Sequence, residues 1–281
     1  MILPEPYINE LIDRALKEDI NYIDVSSAYL FSENDVSNAY FVAKAPGVLC
    51  GIDVALKVFA TLDKTFDASV YKKDGDSLVP GELIAEFRGK TLYLLQGERT
   101  ALNILQHMSG VATATSTAVK LCEGTNASVA DTRKTLPGLR TLEKYAVSCG
   151  GGRNHRYNLS DAVMLKDNHI DAGGGIGNAV KTVRKKIGHT VKIEVETRNL
   201  QEVSESLDAG ADIIMLDNMT AEQMADAVKI INGRALTEAS GNITALNIRA
   251  VAETGVDIIS MGSITHSVKA LDISMKIKKG E

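Results

Sequence analysis

The chain has 281 residues, 44% hydrophobic and 24% charged, enough to bury a substantial core as one large α/β domain or two smaller ones. A formal net charge of −5 argues against general binding to nucleic acid or an anionic membrane, because both need a broad basic surface. The start, Met1-Ile2-Leu3-Pro4-Glu5, lacks the basic flank and apolar core of a signal peptide, and no uncharged apolar run approaches ~18 residues, so a cytoplasmic location is expected.

Residues 7–16 carry apolar side chains at helical spacing: Ile8, Leu11, Ile12, Ala15 and Leu16. From 38 to 93 the signals turn to strands. Pro46-Gly47, Asp74-Gly75-Asp76, Pro80-Gly81 and Arg88-Gly89 separate strand-like stretches at 39–43, 83–87 and 91–95, with a helical piece at 53–62. This half reads as a small α+β domain. Gly97-Glu98-Arg99 opens a long helical pattern towards Leu121, a natural domain junction. Beyond it, short strand-like runs at 127–130, 162–165, 191–195, 213–216, 235–236 and 256–261 alternate with helical candidates at 139–149, 177–187, 200–209, 221–231 and 244–254. Such alternation predicts a parallel sheet or barrel, and six strands predict an incomplete one. The last pattern, 267–277, is expected to return to the first domain. The three cysteines, Cys50, Cys122 and Cys149, are odd in number and widely spaced, which reads as reduced core thiols rather than a zinc site.

Parallel α/β folds hold ligands at the carboxyl ends of their strands, and here each run ends in charged or hydroxyl residues. From Arg133 to Lys166 the cations Arg133, Lys134, Arg140, Lys144, Arg153, Arg156 and Lys166 outnumber the acids Glu143 and Asp161. Arg suits planar recognition of carboxylate or phosphate and Lys a point contact, so this stretch, with His155, predicts a site for an anion with more than one negative group. His107 and His189 read as surface or satisfied core residues. Glu194 and Glu196 are two apart on a strand and face the same way. With Asp217 they could stabilise developing positive charge and hold magnesium beside substrate phosphates. Ser240-Gly241-Asn242 and Gly262-Ser263 follow the last two strands, where barrels favour phosphate.

At these residues the sequence strongly resembles the quinolinate phosphoribosyltransferase family, nearly end to end. The motifs that carry the resemblance are Gly97-Glu98-Arg99-Thr100-Ala101-Leu102-Asn103, Asp131-Thr132-Arg133-Lys134-Thr135, Pro137-Gly138-Leu139-Arg140, Gly150-Gly151-Gly152 with Asn154-His155-Arg156, Lys166-Asp167-Asn168-His169, Leu216-Asp217-Asn218 and Ser240-Gly241-Asn242. Arg153 departs from the small or apolar residue often found there. The resemblance implies an amino-terminal α/β sandwich domain over 1–108 that forms the dimer, an incomplete (open) α/β barrel over 109–266, and a carboxyl-terminal segment, 267–281, that returns to the first domain. It implies transfer of phosphoribose from phosphoribosyl pyrophosphate to quinolinate with decarboxylation, giving nicotinate mononucleotide, pyrophosphate and carbon dioxide, with magnesium and no organic cofactor.

Carried over residue by residue, the resemblance gives Arg133, His155, Arg156, Lys166 and the neighbouring subunit's Arg99 to the quinolinate carboxylates, with Thr132 among the substrate-binding residues. Lys134, Glu194, Asp217, Ser240, Gly241, Asn242, Gly262, Ser263 and His266 would serve the phosphoribosyl group, with Glu194 and Asp217 on the metal and Glu194, Asp217, Lys166 and Lys134 as catalytic groups. Three alternatives remain: a related phosphoribosyltransferase acting on another acidic ring, as in molybdenum-operon relatives, a barrel lyase or aldolase using Lys134 or Lys166 as a Schiff base, and a non-catalytic ligand-binding protein on an old enzyme scaffold, against which the intact basic and acidic strand ends argue.

Overall fold

In the computed structural model residues 2–278 are described, so residue 1 and residues 279–281 of the expected domain ranges lie outside the described residues. In chain order the elements begin with helices α1 (Glu5–Ile20) and α2 (Ser27–Leu30), strands β1 (Val36–Ala43) and β2 (Gly47–Val48), helix α3 (Ile52–Leu62), strands β3 (Asp67–Val70), β4 (Ser77–Leu78) and β5 (Leu83–Lys90), and the long helix α4 (Thr91–Leu121). There follow β6 (Ser128–Ala130), α5 (Arg140–Cys149), β7 (Val163–Leu165), α6 (Asp167–Ala172), α7 (Ile176–Arg184), β8 (Ile193–Thr197) and α8 (Leu200–Asp208). The chain ends with β9 (Ile213–Asp217), α9 (Ala221–Ile231), β10 (Leu236–Ser240), α10 (Ile248–Ala252), β11 (Ile258–Ser260), α11 (Ser263–His266) and β12 (Ile273–Ile277). One compact unit takes the described residues of Met1–Ser116, Thr141–Gly151 and Val268–Glu281, and the other takes Thr117–Arg140 and Gly152–Ser267.

The first unit holds an antiparallel sheet in the order β12-β1-β5-β3. Phe41, Phe59, Phe66 and Phe87 form its aromatic core, with ring centroids 4.9 Å apart for Phe41 and Phe87 and 5.2 Å for Phe59 and Phe87. The last strand, β12, pairs antiparallel with β1, with Phe41 opposite Met275. Residues 91–95, expected as a strand, are instead the first turn of α4. The buried Leu94, Ala101, Leu105 and Met108 recur at helical spacing and start the helix earlier than its glycine suggests. Most of α5 belongs to this unit, including fully buried Glu143, which pairs with His107 at 2.9 Å, and buried Lys144.

The second unit is a six-stranded parallel sheet, in the order β6-β11-β10-β9-β8-β7. It is open, since β6 and β7 lie at its two edges and do not pair with each other among the described residues. Every second residue of a strand faces the same side, and Ile193, Val195, Ile214, Leu216 and Ala239 are fully buried between the rows that carry polar groups. Parallel register sets those rows. Met215 pairs with Glu196 on one side and Glu238 on the other, and Asp217 pairs with Ser240 at the strand ends. Strand β10 is longer than the expected 235–236, so Glu238 is an interior strand residue, not a strand end.

Candidate active site

The carboxyl ends of the six strands surround a cavity of about 580 Å³. Residues Thr132, Arg133 and Lys134 reach it from behind β6, Met164 and Lys166 from β7, Glu196 from β8, Met215, Asp217 and Asn218 from β9, Glu238, Ser240, Gly241 and Asn242 from β10, and Ser260 from β11; His155 and Arg156 close it from their loop. A larger hollow of about 680 Å³, lined by Lys181, Arg184, Glu205 and Asp208 among others, shares none of these residues and has no convergent strand ends. Convergence rather than size identifies the site.

The cationic wall is built on a buried anchor. Asp131, fully buried at the end of β6, accepts hydrogen bonds from the His155 backbone N–H at 2.8 Å and the Asn154 side-chain amide at 2.6 Å. The Arg156 guanidinium donates to the Ala162 carbonyl at 2.8 Å. Burial lowers the pKa of Arg156, and the nearby charge of Arg133 lowers it further. Two guanidiniums held together in this way are a site that gains from a bound dianion. Lys166 donates to Glu196 at 2.5 Å, which aims its ammonium across the cavity mouth.

Beneath the cavity His155 Nε2 lies 3.2 Å from Glu194 Oε2 and 3.4 Å from Glu238 Oε1. Burial pulls the imidazole pKa down, but hydrogen bonds and attraction from the two carboxylates override it and raise it to about 10. The Arg156 N–H, 2.7 Å from Nδ1, opposes a second ring proton. Hydrogen bonds to charged groups contribute ~1.5–3 kcal/mol each against ~1 kcal/mol for a neutral one, so the carboxylates prevail and the ring is cationic. Glu194 itself is raised by burial.

Glu194 does not line the cavity, contrary to its expected place. It faces the same way as Glu196 but sits two residues, or roughly 6.6 Å, deeper along the strand, where His155 covers it. Glu196 takes the cavity wall. On the neighbouring strand Asp217 accepts from the Asn218 side-chain amide at 2.7 Å, and the Asn242 amide donates to Asn218 Oδ1 at 2.9 Å. Gly241 has φ +91°, and a Cβ there would lie 2.3 Å from Asn218 Oδ1, so only glycine lets this pair form. At Gly262 the backbone is ordinary, but an added Cβ would fall 2.8 Å from Lys134 Cδ and 3.1 Å from His266 Cδ2, so a larger residue would push those side chains aside.

The structure therefore gathers Thr132, Arg133, Lys134, His155, Arg156, Lys166, Asp217, Ser240, Gly241 and Asn242 around one cavity, with Gly262 and His266 beside Lys134. Ser263 is exposed at the first turn of α11. Arg99 is exposed on α4 and belongs to the first unit. Sequence reasoning gave no role to Asp131, Asn218, Glu238, Met164, Met215 or Ser260. The spacing of Glu238 and Ser240, two apart like Glu194 and Glu196, is the signal that could have placed Glu238 inside.

Two family models match the chain, one described as "Quinolinate phosphoribosyl transferase, N-terminal domain" over residues 24–109 and one as "Quinolinate phosphoribosyl transferase, C-terminal domain" over residues 111–276. The chain is 44% identical over 270 residues to a probable nicotinate-nucleotide pyrophosphorylase [carboxylating] of Bacillus subtilis, covering 96% of this chain and 93% of the relative. It is 42% identical over 289 residues to the chloroplastic nicotinate-nucleotide pyrophosphorylase [carboxylating] of Arabidopsis thaliana, covering 96% and 82%. The fold superposes on a crystal structure of NadC from Streptococcus pyogenes with TM-score 0.96 at 42% identity, covering 99% of both chains. A nicotinate-nucleotide pyrophosphorylase from Francisella tularensis gives TM-score 0.93 at 39% identity, covering 99% and 98%.

Proposed function

The chain belongs to the quinolinate phosphoribosyltransferase family, and from that membership we propose that its cavity joins quinolinate to phosphoribosyl pyrophosphate, releasing pyrophosphate and carbon dioxide and leaving nicotinate mononucleotide for de novo NAD biosynthesis. The observation that carries the reading is the facing of two guanidiniums, a lysine and a cationic histidine against carboxylates and phosphate-type backbone turns in one cavity.

In this reading Arg133, Arg156, Lys166 and His155 hold the two quinolinate carboxylates, aided by Thr132. The ring nitrogen attacks the anomeric carbon as the bond to pyrophosphate breaks, through a transition state of oxocarbenium character. Glu196 and Asp217, on adjoining sides of the cavity, stabilise that charge. Lys134 takes phosphate oxygens, with backbone N–H groups near Ser240, Gly241, Asn242, Gly262 and Ser263 and the side chain of His266. The carbon–carboxylate bond then breaks, carbon dioxide departs, and the electron pair stays on the ring carbon, stabilised there by the adjacent positive pyridinium nitrogen. Lys166 delivers the proton that the resulting carbanion takes up.

Two carboxylates on a cavity wall, with substrate phosphates between them, suit a hard cation that keeps several oxygen ligands, so Glu196 and Asp217 would hold magnesium. Bound there, the ion would neutralise charge on the departing pyrophosphate. Glu194 is buried beneath His155 and does not line the cavity, whereas Glu196 does and would exchange its contact with Lys166 for the ion. The protein works as a homodimer in which Arg99 completes the neighbouring site. Exposed Tyr22, Val25, Tyr29 and Leu30, 63–93% accessible in the single chain, support a subunit contact. Three cysteines without disulfides suit a cytoplasmic setting, and no helix among the described residues is long and apolar enough to cross a membrane.

The test is product analysis with quinolinate, phosphoribosyl pyrophosphate and magnesium. Equal amounts of pyrophosphate, carbon dioxide and nicotinate mononucleotide are expected, with loss of turnover on chelation. Pyrophosphate release without decarboxylation would replace this reading with transfer to another acidic ring.

A further inference from the structure

Cys50 and Cys149, far apart in the sequence, meet inside the first unit. Cys50 is fully buried just ahead of α3, and Cys149 is the half-buried last residue of α5. Their sulfurs and a carboxylate oxygen of Asp74 all lie within 4.8 Å of one another. The Cys50 thiol donates a hydrogen bond to the Cys149 sulfur, and the neighbouring Tyr145 hydroxyl donates to Asp74 at 2.9 Å.

These surroundings make the two thiols unequal. The hydrogen bond from Cys50 holds the Cys149 pKa below the ordinary thiol value despite its burial, whereas burial pushes Cys50 far up. Cys149 is also the half-buried member of the pair while Cys50 is fully buried, so Cys149 is the nucleophile an oxidant reaches and Cys50 the partner poised beside it. A cavity of about 360 Å³, lined by Leu3, Ile8, Lys57, Asp74 and Tyr145 among others, opens onto the two side chains that flank Cys149. A metal suits the cluster less well. Asp74 already accepts the Gly51 and Ile52 backbone N–H groups at 2.8 and 3.1 Å, capping α3, and two sulfurs with one committed carboxylate fall short of the four donors of structural zinc.

We propose that Cys50 and Cys149 are a redox dithiol that closes to an intramolecular disulfide on meeting hydrogen peroxide. The Cys149 thiolate attacks one peroxide oxygen, the O–O bond breaks, and the released hydroxide takes a proton to become water, leaving sulfenic acid on Cys149. The Cys50 sulfur then attacks the Cys149 sulfur, the S–O bond breaks, and the departing hydroxide takes the Cys50 proton as a second water. Two thiols and one peroxide give one disulfide and two waters. The link ties the start of α3 to the residue before Gly150, where an added Cβ would fall 2.4 Å from the Ala112 carbonyl oxygen of α4. Cys122, in the second unit and raised by burial, stays reduced.

Peroxide treatment of the full chain, followed by alkylation, digestion and mass mapping, tests this. A Cys50–Cys149 linked peptide, reversed by dithiothreitol, is expected, with Cys149 consumed at least ~10-fold faster than Cys122. Cys149→Ser should abolish the link, while Cys50→Ser should leave a Cys149 sulfenic acid trapped by dimedone, which a merely misfolded variant would not show selectively. Equal oxidation of Cys149 and Cys122, links between two chains, or one zinc bound per reduced chain and lost in Cys149→Ser would each overturn the proposal.

Discussion

At the scale of single residues, the site depends on where each charge is held. The sequence shows Arg133, Lys134, His155, Arg156 and Lys166 as a basic run, and the structure explains why they act together: buried Asp131 pins their loop from within. No local pattern announces that anchor, because its partners are Asn154 and the His155 backbone, distant in sequence. Glu194 and Glu238 hold His155 in its charged form. Its folded pKa, about 10, lies above the ordinary 6.5, so its contribution to stability is complete below pH 6.5 and is lost as pH rises through 10. Glu238→Gln removes one carboxylate and should bring the His155 titration down by on the order of one unit or more. Measured by NMR and by the pH dependence of thermal unfolding, the variant should lose stability at lower pH than the parent. Superimposable titrations would show that Glu238 does not hold the ring charged.

At the scale of elements, periodicity revealed most of the second unit. The expected 213–216 and 221–231 reappear as β9 and α9 with little or no change, because apolar runs alternate there with clear turn and capping residues. Residues 91–95 and the length of β10 were hidden for opposite reasons. The first is a helix whose opening residues also suit a strand, and the second is a strand whose interior carries Glu238 and Ser240. Strand register then decided a matter that spacing left open, by lowering Glu194 and raising Glu196 to the cavity. The turn after β10 offers a direct check. Gly241→Ala forces a Cβ onto Asn218 and a side chain into positive φ, at a cost of roughly 1–3 kcal/mol. Since Asn218 must release Asn242 and Asp217, KM for phosphoribosyl pyrophosphate should rise more than kcat falls. An unchanged KM would remove this turn from the phosphate site.

At the scale of the whole molecule, the family resemblance foretold an open barrel and a separate sheet-bearing unit, and both are present. The assignment of α5 to the first unit could not be read from chain order, since it lies between β6 and β7 of the second. The proposed sharing of Arg99 between subunits makes its own prediction. Arg99→Ala and Arg133→Ala subunits, each nearly inactive alone, should recover about a quarter of parental activity when unfolded and refolded together, because half the dimers are mixed and each carries one intact site. No recovery, with mixed dimers present, would confine Arg99 to its own chain. The central claim, that clustered cations read two carboxylates on one ring, is tested most directly by kcat/KM for quinolinate against nicotinate in the parent and in Arg133→Ala. Each charge-assisted hydrogen bond lost with the missing carboxylate costs ~1.5–3 kcal/mol, so the parent should prefer quinolinate by roughly 10³-fold or more, and the variant should lose most of that preference. Comparable rates with both acids in the parent, or an unaltered preference in the variant, would contradict the account.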